Sequence, residues 1–405
     1  MKYQPINSFF KTLLALTILI SLPQIGFPQK LNYVPKKKVL NAINRNIEDA
    51  TIQYKILKNT IPKNKLPRTF ENGKLITSNS DWWCSGFYPG TLFYLFELTK
   101  DTVLKIEGLR NLILLEKEQY NKGTHDLGFM INNSFGIANQ LFPNKSYQNI
   151  LITSAQSLAS RFDAKVGCIR SWNNKKPGDF LVIIDNMMNL ELLFNATKLS
   201  GDSTYYKIAV KHANTTMNNH FRLDYSSYHV LEYNTETGKP MLKRTDQGFG
   251  NESAWARGQA WGLYGFTMMY AETKNKKYLD FANRIASFII TNPNLPADQI
   301  PYWDFDAPKS PQTYRDASAA AIIASALIEL ANFNKPSLAT KYLTVAEKII
   351  LQLSTSQYKN INGQNGGFLL KHSVGSLPHN SEVDVPLTYA DYYYVEAMRR
   401  YLNLQ

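Results

Sequence analysis

Two aspartates stand at the head of apolar segments in a way that suits proton transfer. Asp185 follows Leu-Val-Ile-Ile and opens IDNMMNLELLF, and Asp126 lies in THDLGFMINNSFG. A carboxyl set among aliphatic side chains is partly desolvated, which raises its pKa toward the range a general acid needs near neutral pH. A helix start opposes this by favouring the anion, and either residue also reads as a plain helix N-cap. Two such carboxyls at one site would suit acid/base work on a sugar. Asp316 in RDASAAAII and Asp391 in YADYYYVEA repeat the pattern but read better as caps or partners of neighbouring loops. In NESAWARGQAW, Arg257 and Trp261 are four positions apart, so on a helix they share a face. Trp261 would then be a platform for a ring and Arg257 a planar fork for a carboxylate. Gln247, His229, Trp172, Trp83 and Phe87 add stacking and hydrogen-bonding groups, although each taken alone is more often a core residue.

These residues are scattered along most of the chain, so a fold must gather them. Helical periodicity dominates, and strand-like alternation is short, as in SYHVLEYN. Segments charged along one face cover 39–57, 103–120, 147–162, 204–219, 277–290 and 339–353. Segments apolar nearly all round cover 84–98, 127–142, 184–199, 253–270, 316–331 and 389–402. The two kinds alternate without exception. A helix apolar on every side is buried, and one with a single apolar stripe lies at a surface. The expected fold is therefore all-α, a six-hairpin (α/α)6 toroid with an inner and an outer ring. The loops opening the inner helices carry Trp83, Asp126, Asp185, Arg257, Asp316 and Asp391, and in such a ring they converge on one mouth.

Composition narrows the partners. The chain has 405 residues, 44% of them hydrophobic, enough for two or three domains or one large toroid. Its formal net charge is +13, yet the lysines are scattered and no nucleic-acid motif is present, so nucleic acid is not the expected partner. A mild pull on acidic substrates fits this charge. Two cysteines, Cys84 and Cys168, do not make a disulfide framework. The six histidines show no metal-ligand spacing, so no catalytic metal and no cofactor are expected. Near the N-terminus, TLLALTILISLPQIGF follows Lys11, is short for a membrane span and reads as a secretory signal peptide over residues 1–28. No lipobox cysteine lies there. Residues 29–405 would then form one catalytic domain, periplasmic or secreted, with no membrane span.

WWCSGFYPG, HDLGF, IIDNMMNLELLF, TDQGFGNESAWARGQAW, YWDFDAP with RDASAAA, and DVPLTYADYYYVEA fall in one order from about Trp82 to Tyr401. Together they resemble glycoside hydrolase family 88, the unsaturated glucuronyl hydrolases. The resemblance implies a six-hairpin toroid that acts without metal or nucleotide on lyase-produced oligosaccharides. The substrate would be an anionic oligosaccharide with a 4,5-unsaturated glucuronyl residue at its non-reducing end. The chemistry would be hydration of the C4=C5 vinyl ether. By the same resemblance Asp185 is the general acid/base and Asp126 the second essential carboxylate. Trp83, Phe87, Trp172, His229, Gln247, Arg257 and Trp261 would line the pocket, and Thr245, Ser373 and Ser376 its outer part, with Lys243 and Lys371 as weaker candidates. Sulfated polysaccharides, ulvan or a glycosaminoglycan, are the expected source. Unsaturated rhamnogalacturonyl hydrolysis of pectin fragments, or a non-catalytic oligosaccharide-binding toroid, are the alternatives.

Overall fold

The alternation of helix types becomes six hairpins. They are α1 (Lys37–Thr60) with α2 (Phe87–Thr99), α3 (Thr102–Leu115) with α4 (Ile137–Leu141), α5 (Lys145–Ala159) with α6 (Leu190–Ser200), α7 (Ser203–Asn219) with α8 (Ala256–Thr273), α9 (Lys276–Thr291) with α10 (Ala317–Ala331), and α11 (Pro336–Leu353) with α12 (Thr388–Leu402). The second inner element begins as a π-helix, Gly128–Gly136, and the third as a 3-10 turn, Ile184–Asn189. The structure is a computed structural model describing Met1 and residues 33–173, 179–310 and 312–404. The segment read as a signal peptide therefore lies, Met1 apart, outside the described residues. Leu31–Gln405 groups as one unit. Among the described residues no helix is long and apolar enough to cross a membrane.

The even-numbered helices form the inner ring and pack in chain order, with α12 closing onto α2. α10 is buried at nearly every position, because its alanines let α8 and α12 approach closely. The odd-numbered helices bury one stripe each. The seam between first and last hairpins is polar: Tyr54 donates to Asp391 at 3.2 Å, Asn46 to the Tyr394 hydroxyl at 2.7 Å, and the Lys36 amide to the Tyr401 hydroxyl at 2.9 Å. Lys36 also pairs with Glu347 at 2.6 Å.

The two ends of the ring differ. Inner helices pass to outer ones through tight turns, with left-handed residues at Lys100, Gly201 and Lys274. The outer helices that follow start at capping residues, Asp101, Asp202 and Asn275. Outer helices pass to inner ones through long loops at the other end, the mouth. These loops carry all the described strands: β1 (Leu66–Glu71), β2 (Lys74–Ser78), β3 (Phe162–Asp163), β4 (Cys168–Ile169), β5 (Asp179–Ile183), β6 (Val230–Asn234), β7 (Pro240–Arg244), β8 (Ser373–Ser376) and β9 (Ser381–Val385). All pairings are antiparallel, and β5, β6 and β7 make one sheet.

Candidate active site

Sheet register places the first pair of polar groups. Ile183 pairs with Val230, and the Ile184 amide donates to the His229 carbonyl at 3.1 Å, so Asp185 and His229 leave the sheet edge side by side. His229 Nε2 lies 3.8 Å from Asp185 Oδ2. His229 Nδ1 accepts from the amides of Asp246 and Gln247, each at 3.2 Å, so the ring proton sits on Nε2 and faces Asp185. Burial pushes the His229 pKa well down, reinforced by Arg257. The contact is thus between a neutral imidazole and the carboxyl, not an ion pair. The imidazole is wedged between Trp172, ring centres 6.0 Å apart and edge-on, and Trp255 at 4.5 Å.

Asp185 itself is not a helix cap. It sits inside the first turn of its 3-10 segment, whose N-cap is Ile183. Its Oδ2 is buried without a hydrogen-bond partner, as are His229 Nε2 and Trp261 Nε1 beside it. Burial raises the Asp185 pKa to about 7, with the Asp126 charge adding to the rise, while Arg257 and the Trp261 indole N–H pull it down. The side chain keeps 14% exposure, and with Oδ2 sealed that exposure belongs to its other atoms. This is a carboxyl poised to carry a proton near neutral pH.

Asp126 is no cap either. Its Oδ2 accepts from Thr124 Oγ1 at 2.8 Å, its amide donates back to Thr124 Oγ1 at 3.0 Å, and its Oδ1 lies 3.4 Å from His125 Nε2. His125 is buried, and desolvation lowers its pKa. Gly128 brings the Asp126 loop against the Asp185 helix: a Cβ there would lie 2.4 Å from Asn189 Cα. Asn189 Oδ1 then receives the Phe129 amide at 2.9 Å. The segments that carry the two aspartates, 59 positions apart in the chain, thus meet at Gly128 and Asn189.

Arg257 is 3% exposed. Its Nη1 donates to the Val374 carbonyl, and its Nη2 to Gln247 Oε1 and the Gly375 carbonyl, both at 2.7 Å. Asp316 Oδ2 lies 3.7 Å from Nη1, and the guanidinium rests over Trp255, 4.5 Å from its centroid. The fork is thus engaged by the protein: Arg257 fixes the β8 strand and Gln247, and gives the pocket its positive charge. Asp316 caps α10 with Oδ1, accepting from Ser318 and Ala319 amides at 3.0 and 3.3 Å. Asp391 accepts from the Leu369 and Leu370 amides at 2.9 and 3.0 Å, a purely internal role.

Several expectations are corrected. Trp261 is fully buried, its ring between Phe129 at 5.2 Å and Tyr393 at 5.5 Å, so it is no stacking platform; its indole N–H edge lowers the Asp185 pKa. Phe87 is likewise fully buried, in a cluster with Phe129, Tyr389, Tyr392 and Tyr393. Trp83 is half-buried, 4.9 Å from Tyr389, and Trp172 is half-buried beside His229; these two rings do keep a free surface at the mouth. Ser373 is fully buried, its hydroxyl without a hydrogen-bond partner. Ser376 is bonded to His379 Nδ1 at 2.7 Å, and Thr245 Oγ1 accepts the Gly248 amide at 2.8 Å, holding the turn that carries Gln247. Cys84 and Cys168 are both buried and free. His125, Trp255 and Tyr389 were missed. Only the adjacency of His125 to Asp126 signalled any of them.

A closed double ring of helices with a paired-carboxyl pocket at one mouth is the architecture of a toroidal glycoside hydrolase. The model of the family described as Glycosyl Hydrolase Family 88 matches residues 63–403. The chain belongs to that family and is a glycoside hydrolase. It is 44% identical over 364 residues to an unsaturated glucuronyl hydrolase of Formosa agariphila, covering 87% of this chain and 90% of that one. It is 30% identical over 391 residues to an unsaturated chondroitin disaccharide hydrolase of Streptococcus pneumoniae, covering 94% and 97%. Among solved structures, an unsaturated glucuronyl hydrolase specific for heparin superposes with a TM-score of 0.87 at 47% identity, covering 90% of this chain and 97% of that one.

Proposed function

We propose that this glycoside hydrolase removes the 4,5-unsaturated glucuronyl residue from the non-reducing end of glycosaminoglycan-type oligosaccharides, by hydration of the C4=C5 bond. The observation that carries the reading is Asp185: a buried carboxyl with its pKa raised to about 7, flanked by the His229 and Trp261 N–H groups. In its acid form Asp185 gives its proton to C4, and the C4=C5 electron pair forms the new C–H bond. C5 becomes positive, with the charge shared by the ring oxygen. Water adds to C5, and the Asp185 carboxylate takes the water proton, restoring the acid. The resulting hemiketal opens by breaking the C5–O5 bond, and the hemiacetal left at C1 releases the neighbouring sugar. Asp126, anchored by Thr124 and His125, sets its carboxylate beside the developing positive charge, where fixed charge acts strongly in a dry site. The Arg257 charge attracts the uronate, and Trp83 and Trp172 offer ring surfaces.

The names of the similar proteins, which speak of glucuronyl, chondroitin and heparin substrates, support a glycosaminoglycan source. Ulvan lyase products are the next source to try, given the net charge of +13. We further propose that residues 1–28 direct export and that 29–405 acts as a single domain outside the cytoplasm. The test is to follow the ultraviolet absorbance of the unsaturated uronide with chondroitin, heparin, ulvan and pectin lyase products in deuterated water. Hydration predicts loss of absorbance, deuterium at C4 of the released uronide, and neither with Asp185→Asn. Sugar release with the double bond intact overturns the mechanism, and binding without any reaction overturns the enzymatic reading.

A further inference from the structure

An outer helix of a ring should turn polar groups to the solvent, and α3 does not. Ile106 and Ile113 on α3 are 65% and 73% exposed, and Tyr120, in the 3-10 turn Glu116–Tyr120 that continues it, is 69% exposed. Among the described residues, no large apolar side chain on α5, α9 or α11 is exposed to this degree. A lone exposed isoleucine is ordinary. Here the half-buried Leu109 joins the three, and positions 106, 109, 113 and 120 follow the spacing of a heptad stripe. The ring does not use this stripe, because α3 packs inward through its opposite face, with Leu104, Leu112 and Leu115. A continuous apolar stripe edged by charge marks a protein contact.

The charges along the stripe select what covers it. Lys105 and Glu116 are eleven positions apart, about three helical turns, so they stand on one flank at opposite ends. Lys105 leans over the Phe142 ring, 4.2 Å from its centroid, and Lys100 lies in the turn before α3. Midway, the Arg110–Glu107 ion pair, at 2.6 Å, is satisfied within the helix. Beyond the far end lies a hollow of about 810 Å³, walled by Ile113, Leu114, Tyr120 and Asp81 among others. The lysines at its rim are already held, Lys65 by Asn79 at 2.6 Å and Lys117 by Glu118 at 3.9 Å. We propose that a second copy of this chain covers the stripe, its α3 antiparallel to the first across a two-fold axis near Leu109. Ile106 then packs on Ile113 of the second copy, and Ile113 on its Ile106. Lys105 meets Glu116 of the second copy, and the same pair recurs at the other end. No like charges face each other at the axis, since the pair there is neutral. The hollow receives the second copy's turn with Lys100, opposite Asp81. One surface satisfies both halves, as a two-fold contact requires. The two mouths point in opposite directions and both stay open. One helix pair covers less than the roughly 800 Å² per partner of a standard interface, which places this dimer among the weak, reversible ones.

The pairing does not depend on the reaction proposed above. Sedimentation velocity of the purified enzyme from about 1 to 100 μM, the range of a weak complex, should show the mass rising from one chain to two. Ile113→Asp should raise the dissociation constant at least about tenfold and leave Tm of the monomer unchanged, since the side chain is exposed. Lys105→Glu sets like charges together at both ends and should weaken pairing at least about threefold. Lys105→Glu combined with Glu116→Lys should restore it. Leu109→Cys should be joined to its own copy by a short bis-maleimide; Cys84 and Cys168 are buried and do not compete. A single-chain mass at every concentration overturns the proposal, as does a dimer that Ile113→Asp leaves intact. A charge exchange that fails to restore pairing, or no linkage through Leu109→Cys, overturns the antiparallel arrangement.

Discussion

Replacing Asp185 by Asn keeps the shape of the side chain and removes its proton chemistry, and the structure sets what this does to stability. Burial raises the Asp185 pKa from 3.8 to about 7. Between those values the folded chain holds a proton that the unfolded chain has lost. The native state then binds more protons, so this residue's contribution to stability falls as pH rises from about 4 to about 7. Three pK units at about 1.36 kcal/mol each amount to roughly 4 kcal/mol forgone above pH 7. Asp185→Asn carries no such penalty. With about 2.1 cal/mol/K of unfolding entropy per residue over Leu31–Gln405, 4 kcal/mol corresponds to a Tm shift of about 5 °C. Calorimetry at pH 4.5, 6 and 8 should show a variant Tm close to wild type at the lowest pH and about 5 °C higher at pH 8. Turnover should fall by a factor of at least about 100. An offset that is the same at all three pH values, or wild type gaining on the variant as pH rises, would refute the account of Asp185 as a destabilised, proton-holding acid.

Two further substitutions probe the frame around it. Gly128→Ala forces a Cβ into Asn189 and parts the loops carrying Asp126 and Asp185; it should cost about 1–3 kcal/mol in thermal unfolding and lower kcat more than it raises KM. Arg257→Gln removes the charge that holds the Asp185 pKa down, so the alkaline limb of kcat/KM, where the acid form is lost, should move to higher pH. Leaving Asp316 buried without that cation should also cost about 3–5 kcal/mol. Arg257→Lys should keep the limb near its wild-type position while losing the carbonyl contacts, and an unmoved limb in Arg257→Gln would show that this charge does not tune the acid.

The helices were legible because burial leaves a periodic trace. The inner helices α8, α10 and α12 are apolar nearly all round in sequence and buried at most positions in the structure. Asp185 and Asp126 were legible because a carboxyl among aliphatic neighbours at a helix start stands out. The aromatic residues were not, since a tryptophan that supports a sugar and one that fills a core have the same composition. Trp261 and Phe87 fill the core, and Trp83 and Trp172 keep ring surface at the mouth. Long-range partners leave no local trace either: nothing near Arg257 announces Val374 and Gly375, 117 and 118 positions on. The neutral tautomer of His229 depends on amides brought round by β7, and the meeting of the segments that carry the two aspartates depends on the missing side chain at Gly128. Both are properties of packing rather than of pattern.

The seam has a consequence for how the molecule comes into being. Its bonds join the first helix to the last, Asn46 to Tyr394 and Tyr54 to Asp391, and the strand gripped by Arg257 belongs to the final hairpin. A ribosome therefore cannot deliver a working enzyme in instalments. Until the last few dozen residues emerge, the first hairpin has no partner on its open side and Arg257 has no carbonyls to hold. A product truncated before α12 would be an open arc whose first hairpin lacks its Tyr394 and Asp391 partners.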